Sequence, residues 1–430
     1  MLAENLLRNI VRKSLIANGA PGFFSFALAG FSLLTFMACA ARANDWPRWR
    51  GPRVNGISTE TGWSTNWPAE GPKVLWKAKI GVGFSTVSVS HGRLYTMGNS
   101  DETDHVYCFN AGTGADLWTY SYPCTAKDPN QKMGTRATPT VEANRVFTVS
   151  REGHLFCLNA LDGKLIWAKH YVKDFGAKVP TWGFAGSPLV EGNLLIAEPG
   201  GPGASAVALD KATGKVIWQA GSDPAAYSSP VPFTYHNERC VVFLNVTGIV
   251  ARRVSDGQEL WRYPWKTDYD VNAATPIIER DKVFVSSDYN AGCVLVEFGS
   301  QPPKALWQNR NMRNHVNSCI LWQGYLYGFD ESQLKCLDWR TGEVKWAEKG
   351  PGKGSIMVAD GKFIVYSDRG RVALADLSPA GYHELSGAQV LEGQETWAAP
   401  VLANGRLYCR SQDELVCLDV SAKSETASGK

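Results

Sequence analysis

Charge of one sign is scarce in this chain. Its 44 lysines and arginines nearly cancel its 41 aspartates and glutamates, leaving a formal net charge of +3 over 430 residues. No basic run breaks that balance, so neither the overall field nor a local stripe points to nucleic acid. Also absent are a CxxC pair and any His/Cys grouping with zinc-like spacing, so spacing predicts no metal site. No G-x-S-x-G nucleophile signature occurs. The glycine-rich stretch GGPGAS (200–205) has neither the strand-to-helix context nor the lysine of a phosphate loop, and it reads as a turn insertion near the pocket.

What is abundant is tryptophan and glycine, 16 and 42 residues, a pairing that suits a β-rich protein with many tight turns. The first 43 residues read as a leader. Arg8, Arg12 and Lys13 are followed by an uncharged stretch to Ala41, and Ala41-Arg42-Ala43 offers an A-x-A cleavage site. The expected location is therefore the periplasm or the exterior. An uncleaved anchor, and lipidation at Cys39, are the ranked alternatives, and a membrane association is expected only through that segment. Ten cysteines are present, and nine remain after cleavage, an odd number that cannot pair fully within one chain.

One phrase recurs. Residues 106–118 read VYCFNAGTGADLW, 155–167 LFCLNALDGKLIW, 206–218 AVALDKATGKVIW and 334–346 LKCLDWRTGEVKW. Each is a strand, a turn with glycine where positive φ is cheap, and a return strand ending on tryptophan. A further hairpin precedes each copy, as in ATPTVEANRVFTVS (137–150). The unit is four short antiparallel strands in roughly forty to fifty residues, the period of a propeller blade. Cys108, Cys157, Cys336 and Cys417 share the slot that Ala208 fills elsewhere, which marks a small buried apolar position. A worn copy without tryptophan, VALADLSPAGYHEL, spans 372–385.

The ends complete each other. KVLWK (73–77) is a return strand with nothing before it, and 401–420 supplies inner strands with nothing after them. Pairing them closes the ring and hides its edges. The expected fold is thus an all-β, eight-bladed β-propeller of four-stranded antiparallel blades, with seven blades as the alternative count. The expected organisation is a signal peptide (1–43), a Trp-rich arm (44–72) wrapping the propeller flank, the propeller (73–420) and a disordered tail (421–430).

Ala208, Asp210, Thr213, Gly214 and Trp218 match A-x-D-x-x-T-G-x-x-x-W, and the chain on this ground resembles the PQQ-type (quinoprotein-like) β-propellers with their tryptophan-docking motif. Cys336 to Trp346 match with Cys for Ala, and Cys108 to Trp118 with Cys for Ala and Asn for Asp; the blade ending at Trp307 and the worn blade depart. The resemblance implies two kinds of function. One is a binding or scaffold propeller of the cell envelope, like the family's outer-membrane assembly lipoprotein, with a protein partner or a small anionic ligand. The other is a compact PQQ-dependent dehydrogenase of alcohols or sugars, which would need PQQ with Ca²⁺ and an aspartate base. The vicinal disulfide of those enzymes has no counterpart, since no two cysteines are adjacent. The chain is also shorter than those enzymes, which favours the binding reading.

Function in a propeller sits where the repeats differ. Counting back from the aligned start of each innermost strand places Phe84, Arg136, Phe184, Tyr227, Asn272, His315, Lys353 and Trp397 at the channel mouth, with Trp182 just upstream of one of them. A planar anion could stack on Trp397 or Trp182 while Arg136 and Lys353 meet its carboxylates. The expected ligand-binding set is Arg136, Trp182, Tyr227, Asn272, His315, Lys353 and Trp397. No catalytic residue is assigned: Glu198, Asp288, Asp330 and Asp368 sit in hairpin loops where carboxylates serve turns.

Overall fold

The repeated phrase folds through one hairpin whose two halves serve different neighbours. In the computed structural model, Asp210 Oδ1 accepts from the N–H groups of Ala212 (3.1 Å) and Thr213 (2.8 Å), forming the turn. Gly214 follows at φ +72°, and a Cβ there would lie 2.7 Å from the indole of Trp167 in the preceding blade. Glycine is therefore required twice, for the backbone and for the neighbouring ring. Trp118, Trp167, Trp218, Trp307 and Trp346 each donate Nε1–H to a carbonyl of the next blade, at 2.8–3.1 Å.

The cysteine slot has a matching cause. Cys108, Cys157, Ala208, Cys336 and Cys417 sit in register opposite the tryptophans of their own blades. All five are completely buried. A small side chain there leaves space for the indole, so sulfur serves packing. No cysteine among the described residues forms a disulfide.

The structure describes residues 44–126, 134–289, 291–350, 352–393 and 396–422. The expected leader (1–43) and the tail beyond 422 lie outside them. Eight sheets follow one another: blades 1 to 7 span 88–123, 140–170, 189–220, 231–264, 277–309, 320–348 and 354–389. Blade 8 joins Val401–Ala403, Arg406–Arg410 and Glu414–Asp419 to the N-terminal strand Lys73–Lys79, in antiparallel register from Lys73↔Asp419 to Lys79↔Glu414. The ring closes as the sequence predicts, with eight blades rather than seven. The only α-helix among the described residues is the short Tyr171–Phe175, so none is long and apolar enough to cross a membrane.

The two departures from the motif have visible substitutes. In blade 5 Phe298, directly after the strand Gly292–Glu297, covers the preceding tryptophan where a turn glycine does so in blades 1, 2, 3, 4 and 6: its ring stacks on Trp261 of blade 4 at 4.6 Å. In blade 7 the residue opposite the small slot is Gly387, and the Arg371–Glu384 ion pair (2.5 Å) lies beside it in place of an indole.

The Trp-rich arm takes a route that differs from the flank expected for it. Trp46 bridges Val89 in blade 1, Pro47 accepts from Val141 N–H in blade 2, and Arg48 donates to the Val190 carbonyl in blade 3. Arg50 donates to the Cys319 carbonyl (2.6 Å) at the head of blade 6, and Ile57–Ser58 adds a parallel strand to the innermost edge of blade 7. These partners surround the axis, so the arm crosses the channel. Trp46 is buried there, where its ring and the unpaired inner-strand edge of Val89 are satisfied together. Residues 60–72 then run outward as expected of a flank segment: Ser64 N–H donates to the Val420 carbonyl of blade 8, Gly71 packs on Ala388 of the outermost strand of blade 7, and Trp63 and Trp67 are buried along this stretch.

Candidate functional site

Above the arm lies a cavity of about 360 Å³ at the head of the innermost strands. Arg136, Trp182, Tyr227, His315 and Trp397 line it, with Phe84. They come from connections between blades, which is why residues spread over more than 300 positions converge. Phe84 stacks on Trp397 with centroids 4.9 Å apart, and the Arg136 guanidinium lies 5.7 Å over the Phe84 ring. Trp182 N–H donates to the Tyr227 hydroxyl at 3.3 Å.

Lys353 joins through contacts. Its Nζ is 2.9 Å from His315 Nδ1 and 5.9 Å over the Trp397 ring. An ammonium can only donate, so His315 Nδ1 accepts and the ring proton sits on Nε2, facing the Tyr289 hydroxyl at 3.2 Å. Burial, and then the Lys353 charge, hold the imidazole below its ordinary range. His315 is thus a neutral relay that orients Lys353 and Tyr289.

Asn272 is not among the lining residues. It is completely buried, donates to the carbonyl of Asn245 (2.8 Å), accepts from Ser287 (2.8 Å), and its own carbonyl accepts from Tyr227 N–H. Its neighbours Val271 and Ala273 line the cavity instead, because successive residues of extended chain face opposite ways. Phe184 turns away from the mouth, edge-on to Tyr171 at 5.0 Å.

Two aromatic lining residues went unseen in the sequence. Trp49 reaches the cavity from the arm as its floor, its Nε1–H donating to Thr275 Oγ1 at 2.8 Å. Tyr289 stands in a hairpin at φ +55°, where glycine or asparagine is usual; an aromatic residue in such a turn was the available signal.

None of the four loop carboxylates lines the cavity, and no described lining residue is acidic. Asp330 is buried between Arg313 (2.8 Å) and Lys335 (2.5 Å). Glu198 lies in a separate recess of about 10 Å³ beside Tyr171, and its Oε1 has no hydrogen-bond partner among the described residues. The glycine stretch packs here rather than on the cavity: a Cβ on Gly201 would meet the Phe175 carbonyl at 1.9 Å. Burial, then the neighbouring Asp223, push Glu198 well above the ordinary carboxylate value, against a weaker opposing pull from Arg252. Asp223 is itself raised by burial, but hydrogen bonds from Thr247 and Arg262 bring it below the ordinary value.

This has a pH consequence. Below 4.5, folded and unfolded chains both hold the Glu198 proton; above it the unfolded chain releases the proton that the folded chain keeps, so stability falls as pH rises. Glu198→Gln should flatten the melting-temperature profile above pH 5 and raise the value near neutrality. A parallel profile in the variant would show that Glu198 does not titrate with folding.

Three solved structures illustrate the fold likeness. BamB from Moraxella catarrhalis aligns with a TM-score of 0.59 at 13% identity, over 83% of this chain and 99% of that one. Quinohemoprotein alcohol dehydrogenase from Comamonas testosteroni aligns with 0.63 at 14%, over 91% and 83%. A europium-containing methanol dehydrogenase aligns with 0.62 at 13%, over 87% and 89%. No curated protein matches in sequence. A family profile described as outer membrane protein assembly factor BamB matches residues 102–348, more than half of the sequence, and the chain belongs to this family of PQQ-type β-propellers.

Proposed function

We propose that this propeller is an exported binding or scaffold module of the cell envelope whose channel mouth takes a small, planar, anionic aromatic ligand. Export rests on the leader-like residues 1–43, and the envelope assignment on the name of the matched family. The tryptophans of the repeated phrase dock successive blades and leave the mouth free to vary.

One observation carries the ligand reading: a cavity floored by Trp49, walled by stacked rings, and flanked by the cations Arg136 and Lys353. The aromatic walls match a flat π-system, and the cations match carboxylates. PQQ, which the resemblance implies, is flat and carries three carboxylates, so its organic part fits these residues. A Ca²⁺ partner does not. Calcium takes six to eight oxygen ligands, typically with several carboxylates, whereas the described lining has none and carries positive charge. No catalytic step is therefore derived.

The test is a calorimetric titration of the mature protein with PQQ, with citrate as a non-aromatic tricarboxylate. Binding should be independent of Ca²⁺ and should discriminate against citrate. Arg136→Ala with Lys353→Ala should weaken it about 100-fold, since each lost charged hydrogen bond is worth about 1.5 kcal/mol or more. The melting temperature of the double variant should change little. Binding that requires Ca²⁺, with dye-coupled alcohol oxidation, would replace this reading by the dehydrogenase one. Absence of binding would leave a macromolecule as the ligand.

A further inference from the structure

Away from the cavity, between blades 1 and 2, three side chains of different chemistry converge. Cys124 follows the outer strand Asp116–Pro123 of blade 1, and Glu152 and His154 belong to the Val149–His154 hairpin of blade 2. One potential ligand atom from each lies within 4.8 Å of the other two. A second imidazole adjoins them. His170 is the register partner of His154 across the blade, and the two rings meet edge-to-face with centroids 4.5 Å apart.

The surroundings hold this group in place. Ser150 Oγ accepts from the N–H groups of Glu152 (3.2 Å) and His154 (2.9 Å) and lies 3.0 Å from His154 Nδ1. Behind Cys124, the buried Asp104 takes hydrogen bonds from Asn99 (2.6 Å) and Tyr122 (3.2 Å), and the same Asn99 amide donates to the Cys124 carbonyl (2.9 Å). Ligand residues braced by a second layer of hydrogen bonds are the usual construction of a metal centre.

We propose that Cys124, Glu152 and His154 form a binding site for one borderline divalent transition metal of the zinc class. A sulfur, an imidazole nitrogen and a carboxylate oxygen are the donor set such ions select, whereas calcium and magnesium take oxygen alone. On binding, the Cys124 thiol gives up its proton to solvent and the metal–sulfur bond replaces the S–H bond. The thiolate and the Glu152 carboxylate then neutralise the dication. The metal adds a coordination link to two blades already joined by packing and by hydrogen bonds such as Trp118 Nε1–H to the Ala160 carbonyl (3.0 Å). This site is independent of the ligand reading above, because none of its residues lines the cavity.

The experiment uses the mature chain stripped with EDTA, titrated with Co²⁺ and followed by absorption, then competed with Zn²⁺. One equivalent of Co²⁺ should produce near-ultraviolet thiolate charge-transfer bands, and Zn²⁺ should displace it. Cys124→Ser should abolish those bands, and His154→Gln and Glu152→Gln should each weaken Zn²⁺ binding tenfold or more. Zn²⁺ should raise the melting temperature of the wild type and not that of Cys124→Ser. Glu152 is half-exposed, so Glu152→Gln keeps the test open should a buried substitution prevent folding. Absence of thiolate bands, bands that persist in Cys124→Ser, or unchanged Zn²⁺ affinity in Glu152→Gln would each overturn the proposal.

Discussion

Arg410→Ala should lower the melting temperature by about 5 °C or more, measured by differential scanning calorimetry. Arg410 is 1% exposed and lies on one of the two inner strands of the closing sheet. Its guanidinium donates to the carbonyls of Ser85 (2.6 Å) and Met97 (2.5 Å) in the entry to blade 1 and its second strand, and to those of Gly81 (3.2 Å) and Gln412 (3.3 Å). Its hydrogen-bond acceptors among the described residues are backbone carbonyls and the Thr96 hydroxyl, and none of these is a carboxylate. Burial pulls its pKa down from the ordinary arginine range to about 9, which still leaves it charged at neutral pH. The alanine variant strands several buried carbonyls and opens a cavity, together about 4 kcal/mol. In a chain this long that energy spreads over a large unfolding entropy, hence the modest shift in temperature. Arg410→Lys should recover only part, because one ammonium cannot reach carbonyls on both sides of the seam. A melting temperature within 1 °C of wild type for the alanine variant would show that the seam does not depend on this residue.

The second large effect concerns the seam itself. Deleting residues 44–80 removes the strand Lys73–Lys79, and with it Trp76, whose Nε1–H donates to the Ala111 carbonyl (3.2 Å) and whose ring covers Gly114. The strand Glu414–Asp419 becomes a bare edge at the rim of an opened ring. The arm goes too, leaving the inner strands that paired with Trp46 and Ile57 without partners. The product should be insoluble or digested within minutes by a protease dose that spares the full chain. A soluble truncation with unchanged melting temperature would sink the closure argument.

How far these features were legible in the sequence varied with their range. The blade count came from tryptophans and Thr-Gly turns, since a four-stranded unit writes its strands and turns locally. Even the closing strand could be read, because a return strand without partners at one end and partners without a return strand at the other are complementary gaps. The channel mouth was partly legible. Alignment of the innermost strands indicated Arg136, Tyr227, His315 and Trp397, but offset counting cannot tell which way a side chain turns, and so it included Asn272 and Phe184.

The repeat, its period and the pairing of its ends were therefore determined by the amino-acid sequence alone, since they rest on hydrogen bonds and packing between segments that recur at fixed spacing. Tertiary structure alone decided that the arm crosses the axis and makes Trp49 the floor of the cavity. It alone buried Arg410 in the seam and set Cys124 beside Glu152 and His154 of the next blade. Those contacts join segments unrelated by the period, and only ring closure determines which of them meet.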